Sequence, residues 1–179
     1  NITFEIFEQY RKMHHKAAGR VTRPIETFRM MYDWIKNGEA FLVGVKASDR
    51  FYSFEHYNLY KNTVYAGSAC NDPDFQGPPL RHFLEWEAIK WMRSKGVKYY
   101  EVGWQQYGPL SYDFPSEKEL NISHFKLGFG GFTVPLMRGE KYYSKDYYMQ
   151  VNLERINKYA SLLQSSSQVS PLPGAAARE

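Results

Sequence analysis

The stretch Ile122–Val134, read ISHFKLGFGGFTV, limits what this chain can fold into more than any other. Glu117-Lys118-Glu119-Leu120 opens a helix that runs through Phe125. Gly128, Gly130 and Gly131 then stop it, with Phe129 and Phe132 between them. Glycine supplies positive φ at a helix C-terminus and lets a backbone approach a ligand that a Cβ would exclude. The apolar run Phe132-Thr-Val-Pro-Leu reads as a strand following at once. Caps and core aromatics account for most such runs. Lys126 asks for more, because a lysine between Phe125 and Phe129 must snorkel or meet an anion.

A helix pair, a three-stranded meander, a helix and a strand lead up to it. Phe4–Ala18 carries Ile6, Tyr10, Met13 and Ala17 on one helical face, and Gly19 ends it. A second helix follows Pro24, with the stripe Ile25, Phe28, Tyr32 and Ile35, and stops at Asn37-Gly38. Ala40–Lys46 is a nearly continuous apolar strand, and Phe51–Tyr60 is an aromatic strand with Glu55 and His56 inside it. Thr63–Cys70 is the third. Its Ala66, Gly67, Ser68 and Ala69 either leave room on the sheet face or mark a weak, bulged strand.

Leu80–Lys95 carries the strongest helical pattern, with Leu80, Leu84, Ala88 and Trp91 as its buried stripe. Lys98–Trp104 is a strand parallel to the third, joined to it by a right-handed crossover. Glu101 falls mid-strand, near the C-terminal sheet edge where such folds place their sites. Gln105–Ser116 is a loop suited to covering a pocket, Glu140–Tyr148 a last strand or turn, and Gln150–Leu163 a terminal helix. The fold class is α/β (α+β): a mixed, mostly antiparallel twisted sheet flanked by helices. It forms one domain over residues 1–163, with 164–179 a disordered or vector-derived tail.

This order of elements resembles the GNAT acyltransferase fold. Lys118-Glu119 with Ile122-Ser-His-Phe-Lys-Leu-Gly-Phe-Gly-Gly is close to the KE…I..FK.GFGG signature of its Fem-type (FemABX-like) aminoacyltransferases. The resemblance runs from Phe4 to Tyr143, and only the signature is specific. It implies a single half, the C-terminal one, of an enzyme whose cleft lies between two GNAT-like halves. Either an N-terminal GNAT-like domain or a second copy in a homodimer would supply the other wall. Trp86 and Tyr112 are the aromatics expected at such a contact.

The activity implied is direct acyl transfer to an amine, the acceptor being a small molecule, a peptide or a cell-wall precursor. Cys70 has no evident activating partner, and no serine sits in a G-x-S-x-G elbow, so no covalent enzyme intermediate is expected. The donor implied is aminoacyl-tRNA. The alternatives are an acyl-CoA-dependent N-acyltransferase and a non-catalytic GNAT-fold binding module. Either donor is a co-substrate, and no further cofactor is expected. Coenzyme A enzymes of this fold usually hold pyrophosphate on a Q/R-x-x-G-x-G/A loop before the third helix. Here Gln76-Gly77-Pro78-Pro79 stands instead, and two prolines remove two N–H donors, with Arg81 and His82 able to compensate in part.

The resemblance also assigns roles. Lys126 serves the oxyanion or a donor phosphate, and Phe125 stacks on an adenine, with Gly128, Phe129, Gly130 and Ser68 lining the donor side. His124 falls where many GNAT enzymes place a general acid. Glu101 is a general base for the amine or a structurally paired carboxylate. His14, Arg20, Arg23, Trp104 and Tyr107 belong to the acceptor side. Adjacent His14 and His15 point about 100° apart on a helix with no third ligand at metal spacing, so no metal site is expected. Lys16 reads as a solvated helix face.

Composition sets the remaining bounds. At 179 residues the chain can bury a sizeable core without staples. Its one cysteine excludes an intrachain disulfide and favours a reducing compartment, so the expected location is cytoplasmic. A net charge of +4 is mildly basic rather than a nucleic-acid footprint. No signal peptide is visible, and no apolar stretch approaches the ~20 residues that span a bilayer. The opening Asn1, in place of Met, fits a piece of a longer chain.

Overall fold

A computed structural model describes residues 2–110 and 112–166 of the chain. Its elements are α1 (Phe4–Ala18), α2 (Ile25–Lys36), β1 (Ala40–Ala47), β2 (Arg50–Tyr60), β3 (Thr63–Asn71), α3 (Leu80–Ser94), β4 (Tyr99–Glu101), α4 (Glu117–Leu127) and α5 (Lys145–Ser166). The chain divides after Gly103 into two compact units.

The first unit is a four-stranded sheet in the order β1-β2-β3-β4 between two helical layers. The first three strands are antiparallel, and β4 runs parallel to β3. Alternation along β2 sorts the core. Phe54 and His56 face α1 and α2, where Phe7, Tyr10, Phe28, Met31 and Leu42 are buried. Tyr57 faces α3 and packs with Val64, Leu84, Ala88 and Met92. Trp91, read as part of that stripe, is 43% exposed and lies against Phe41 at the sheet margin. Met92 takes the inner place, and so does Glu85, because a polar cluster is buried there.

In that cluster Tyr57 Oη lies 2.6 Å from Glu55 Oε2 and 2.8 Å from Glu85 Oε2. A tyrosine has one proton to give. Both contacts are hydrogen bonds when Glu55 is protonated and donates to Tyr57, which donates to Glu85. Burial, and then Glu85, push the Glu55 carboxyl up to about 8. Burial also presses on Glu85, but the neighbouring Glu55 carboxyl, the Tyr100 and Tyr57 hydroxyls and the charge of Arg81 leave it lowered. Arg81 Nη2 donates to Glu55 Oε1 at 2.5 Å, and Tyr100 donates to Glu85.

Lys16 is not merely solvated. It donates to Asp72 at 2.9 Å, and with Arg50 it holds that carboxylate down at about 2. The pair ties α1 to the end of β3 through a nearly buried anion.

Two irregularities of β3 open space on the sheet. Ser68 pairs with His56 and Ala66 with Tyr57, so Gly67 is an extra residue with no partner on β2, a β-bulge. On the other side β3 pairs with β4 only at Thr63–Tyr99, Val64–Tyr100 and Tyr65–Glu101, and then runs on to Asn71 without it. Glu101 is thus the last residue of a short strand, not the middle of a long one.

In the second unit α4 opens with a capping box. The Ser116 hydroxyl accepts from the Glu119 N–H, and the Glu119 carboxylate accepts from the Ser116 N–H at 2.7 Å. Gly128 does not take the left-handed conformation read for it, having φ −61°. The positive angles fall at Gly130 and Gly131. No strand follows: residues 132–136 are exposed and irregular, and Pro135 would in any case interrupt a ladder. Glu140–Tyr148 is not a strand either. Ser144 Oγ accepts from the Tyr147 N–H, and α5 starts at Lys145, earlier than its apolar pattern indicated. Ser123 is the one buried residue described in this unit. Residues 164–166, read as the start of a tail, close α5, and the tail from 167 on lies outside the described residues. Among the described residues no helix is long and apolar enough to cross a membrane.

Candidate functional site

The bulge forms the floor of a cleft in the first unit. Arg23, Thr27, Met31, Trp34, His56, Asn58, Tyr65, Gly67 and Ser68 line a space of about 180 Å³. The cleft lies beside the point where β3 and β4 part. A Cβ on Gly67 would sit 2.7 Å from Asn58 Nδ2 and 3.0 Å from the His56 carbonyl, so only glycine keeps the floor open.

His56 is 1% exposed, and its Nε2 donates to the Met31 carbonyl at 3.4 Å. That fixes the tautomer and leaves Nδ1 as a lone pair with no hydrogen-bond partner among the described residues, on the Gly67 side of the ring. Burial, with help from Arg23, pulls the imidazole down to about 4, so it stays neutral and accepting. Tyr10 stacks on the same ring. Its phenol makes no hydrogen bond of ordinary geometry, and burial raises it to about 12, although Ser68 is near enough to oppose the rise.

At the other wall stands Arg23. Its Nη1 donates to Ser68 Oγ at 3.3 Å and to His14 Nε2 at 3.5 Å, and its guanidinium lies over the Phe28 ring. Because Nε2 of His14 accepts, Nδ1 carries the proton and donates to Thr22 Oγ1 at 3.0 Å. Burial, then Arg23 and His15, keep His14 below its ordinary value. Among the described residues no group of three His, Cys, Asp or Glu side chains is placed to hold a metal.

Arg23 thus joins His14, expected with it on the acceptor side, to Ser68, expected on the donor side. Arg20 is exposed in the α1–α2 connection and does not line the cleft. Glu101 is exposed at the last β3–β4 pair, opposite the cleft residue Tyr65. The other candidates belong to the second unit. There Lys126 Nζ donates to the Trp104 carbonyl at 2.8 Å, which joins two of them. Phe125 and Phe129 meet edge to face, Tyr107 bonds Thr133, and His124, Gly128 and Gly130 are exposed.

Sequence reasoning missed His56, Asn58, Trp34 and Tyr65. The pairing of Glu55 and His56 inside an aromatic strand was the available signal, since two adjacent polar residues on a covered strand must each find a separate buried environment.

At the start of α3, Pro79 is the cap residue and Pro78 precedes it, so Leu80, Arg81 and His82 keep their N–H groups in the first turn. The Arg81 side chain, expected to assist there, is turned inward onto Glu55 instead.

The fold matches that of solved structures, among them an aminoglycoside N-acetyltransferase. AAC(6')-Iy in complex with a coenzyme A–acetylneamine bisubstrate analogue aligns over 78% of this chain and 95% of its own, at 13% identity and TM-score 0.56. The aminoglycoside N-acetyltransferase AAC(6')-Iy with CoA aligns over 80% of this chain and 91% of its own, at 14% identity and TM-score 0.52. A tetramutant of the BH1408 protein from Bacillus halodurans aligns over 79% and 97%, at 12% identity and TM-score 0.52. No family model matches the chain, and no curated protein matches it in sequence. The fold is GNAT-like, a four-stranded mixed sheet flanked by helices. The Fem-type branch rests on the signature of α4 alone.

Proposed function

We propose that the chain is an N-acyltransferase that passes an acyl group from a coenzyme A thioester directly to a small amine held in the Gly67 cleft. The observation that carries this reading is the parting of β3 from β4 beside a bulged, glycine-floored cleft. An extended acyl group can enter such a gap, and a bulge takes backbone groups out of the ladder, free to face a developing oxyanion.

The amine nitrogen attacks the thioester carbonyl and the C–N bond forms. The C–S bond then breaks, and the thiolate leaves and takes up a proton as the thiol. His56 Nδ1 accepts a hydrogen bond from the bound amine and orients it. Glu101, exposed where the strands part, is the group we assign to receive the proton the amine sheds. Cys70 takes no part. It is buried, and burial raises its thiol to about 12, so it holds no nucleophilic thiolate near neutrality.

A second donor has one observation in its favour. Pro78 and Pro79 supply no N–H ahead of α3, where a pyrophosphate loop would have them, and an aminoacyl ester of tRNA of the Fem type needs no such loop. In that reading Phe125 and Lys126 of α4 hold the terminal adenosine.

Titration of the protein with acetyl-coenzyme A and with an aminoacyl-adenosine analogue separates the two. Acetyl-coenzyme A is expected to stabilise the fold by about 3 kcal/mol at a hundredfold excess over Kd, with acetyl transfer to an amine releasing the free thiol. Stabilisation by the adenosine analogue alone would replace the coenzyme A reading with the tRNA one.

A further inference from the structure

We infer that the Gly67 cleft is built for an acceptor that carries a free carboxylate beside its amine, of the small α-amino acid class. The inference rests on the acyl-transfer reading of the same cleft and names what that cleft selects.

Two groups in the cleft call for opposite partners. The Arg23 guanidinium is half-buried, and among the described residues it meets only neutral groups, namely Ser68, His14 and the Phe28 ring, with no carboxylate at ion-pair distance. Both of its hydrogen bonds are long, at 3.3 and 3.5 Å, so they are readily exchanged for a better acceptor. A partly buried guanidinium with only neutral partners is placed to take an anion, and a carboxylate offers it two parallel bonds. Thr27, in the first turn of α2, lines the cleft beside Arg23 and can add a hydroxyl donor to a bound carboxylate.

His56 supplies the complement. Its unpartnered, buried Nδ1 can only accept, so it calls for an N–H or O–H donor on the ligand. Arg23 is near enough to depress His56, so a protonated amine placed there would be repelled unless an anion sat between the two. A carboxylate on the same small molecule provides that anion. The space of about 180 Å³ is below the size of drug-scale pockets and is large enough for a small amino acid.

The test is calorimetric titration of the whole chain with L-alanine, L-alaninamide and inorganic phosphate. It is run on the unaltered protein and on Arg23→Gln and Arg23→Lys, with melting curves to confirm folding. L-Alanine is expected to bind at least tenfold more tightly than L-alaninamide. Arg23→Gln should abolish that preference, and Arg23→Lys should keep part of it, since an ammonium retains the charge and loses the fork. The comparison of the two ligands on the unaltered protein stands even if Arg23→Gln does not fold. Equal affinity for both ligands would overturn the proposal. So would phosphate binding more tightly than L-alanine with the same dependence on Arg23. Thiol release from acetyl-coenzyme A is measured in parallel. Transfer to neutral and carboxylated amines alike would remove the carboxylate while leaving the acyl-transfer function. Arg23-dependent binding of L-alanine without transfer to any amine would do the reverse.

Discussion

The smallest change with a decisive consequence is at Gly67. Its missing side chain is what lets Asn58 and the His56 backbone lie so close to β3, since a methyl there meets Asn58 Nδ2 at 2.7 Å and the His56 carbonyl at 3.0 Å. The amide of Asn58 can swing away, but the His56 carbonyl is fixed in β2. Gly67→Ala is therefore expected to lose about 1–3 kcal/mol to overpacking, and to lose acceptor binding by more than its loss of stability accounts for. Melting temperature and ligand affinity measured on the same variant check this. A variant that melts lower yet binds the acceptor unchanged would show that the glycine serves only the strand. The run Ala66–Ala69 already pointed to open space or a bulge on this strand. Which of the four residues is the extra one depends on register against β2, and register is a property of two strands that neither displays alone. His56 was hidden for a related reason, because a histidine in an aromatic strand looks the same in sequence whether its second nitrogen is satisfied or not.

At the scale of elements, the junction of β2, α3 and β4 is where hydrogen-ion concentration acts on the fold. Glu55 titrates near 8 in the folded protein and at its ordinary value of 4.5 when unfolded. Between these values the folded state holds the extra proton, so this contribution is complete below 4.5, shrinks as pH rises, and is gone above about 8. The slope is expected to stay within about 1.4 kcal/mol per pH unit, the limit for one proton. Glu55→Gln imitates the protonated carboxyl and should flatten the dependence between pH 5 and 8, which urea titrations at several pH values measure. An unchanged slope would place the proton elsewhere. Asp72 acts in the opposite sense and only in strong acid: its depressed carboxyl gives stability that is lost as pH falls from 3.8 toward 2.

The elements themselves were largely legible. Apolar spacing located α1, α2 and α3 and the three strands of the meander, because each has a covered face that enforces a period. The failures fall where no such face exists. Phe132–Leu136 is apolar enough for a strand, but among the described residues no strand pairs with it. The start of α5 is set by a Ser144 hydroxyl rather than by hydrophobic pattern.

At the scale of the molecule, both hydrophobic clusters lie before Gly103, and after it the only buried residue described is Ser123. Helices without a packed face are marginal on their own. A fragment of residues 1–103 is expected to melt as one cooperative transition, and one of residues 104–166 to show no transition, by circular dichroism. Cooperative melting of the second fragment would mean that it buries a core of its own. The solitary Cys70 bears on how such opening is followed over time. Its sulfur sits in the larger cluster with Leu42 and Phe54, protonated and closed to solvent. A thiol reagent can therefore reach it only during the moments when β3 leaves that cluster. With no other cysteine in the chain to compete, the rate at which label accumulates is a clock for those moments, built into the native sequence without any engineered probe.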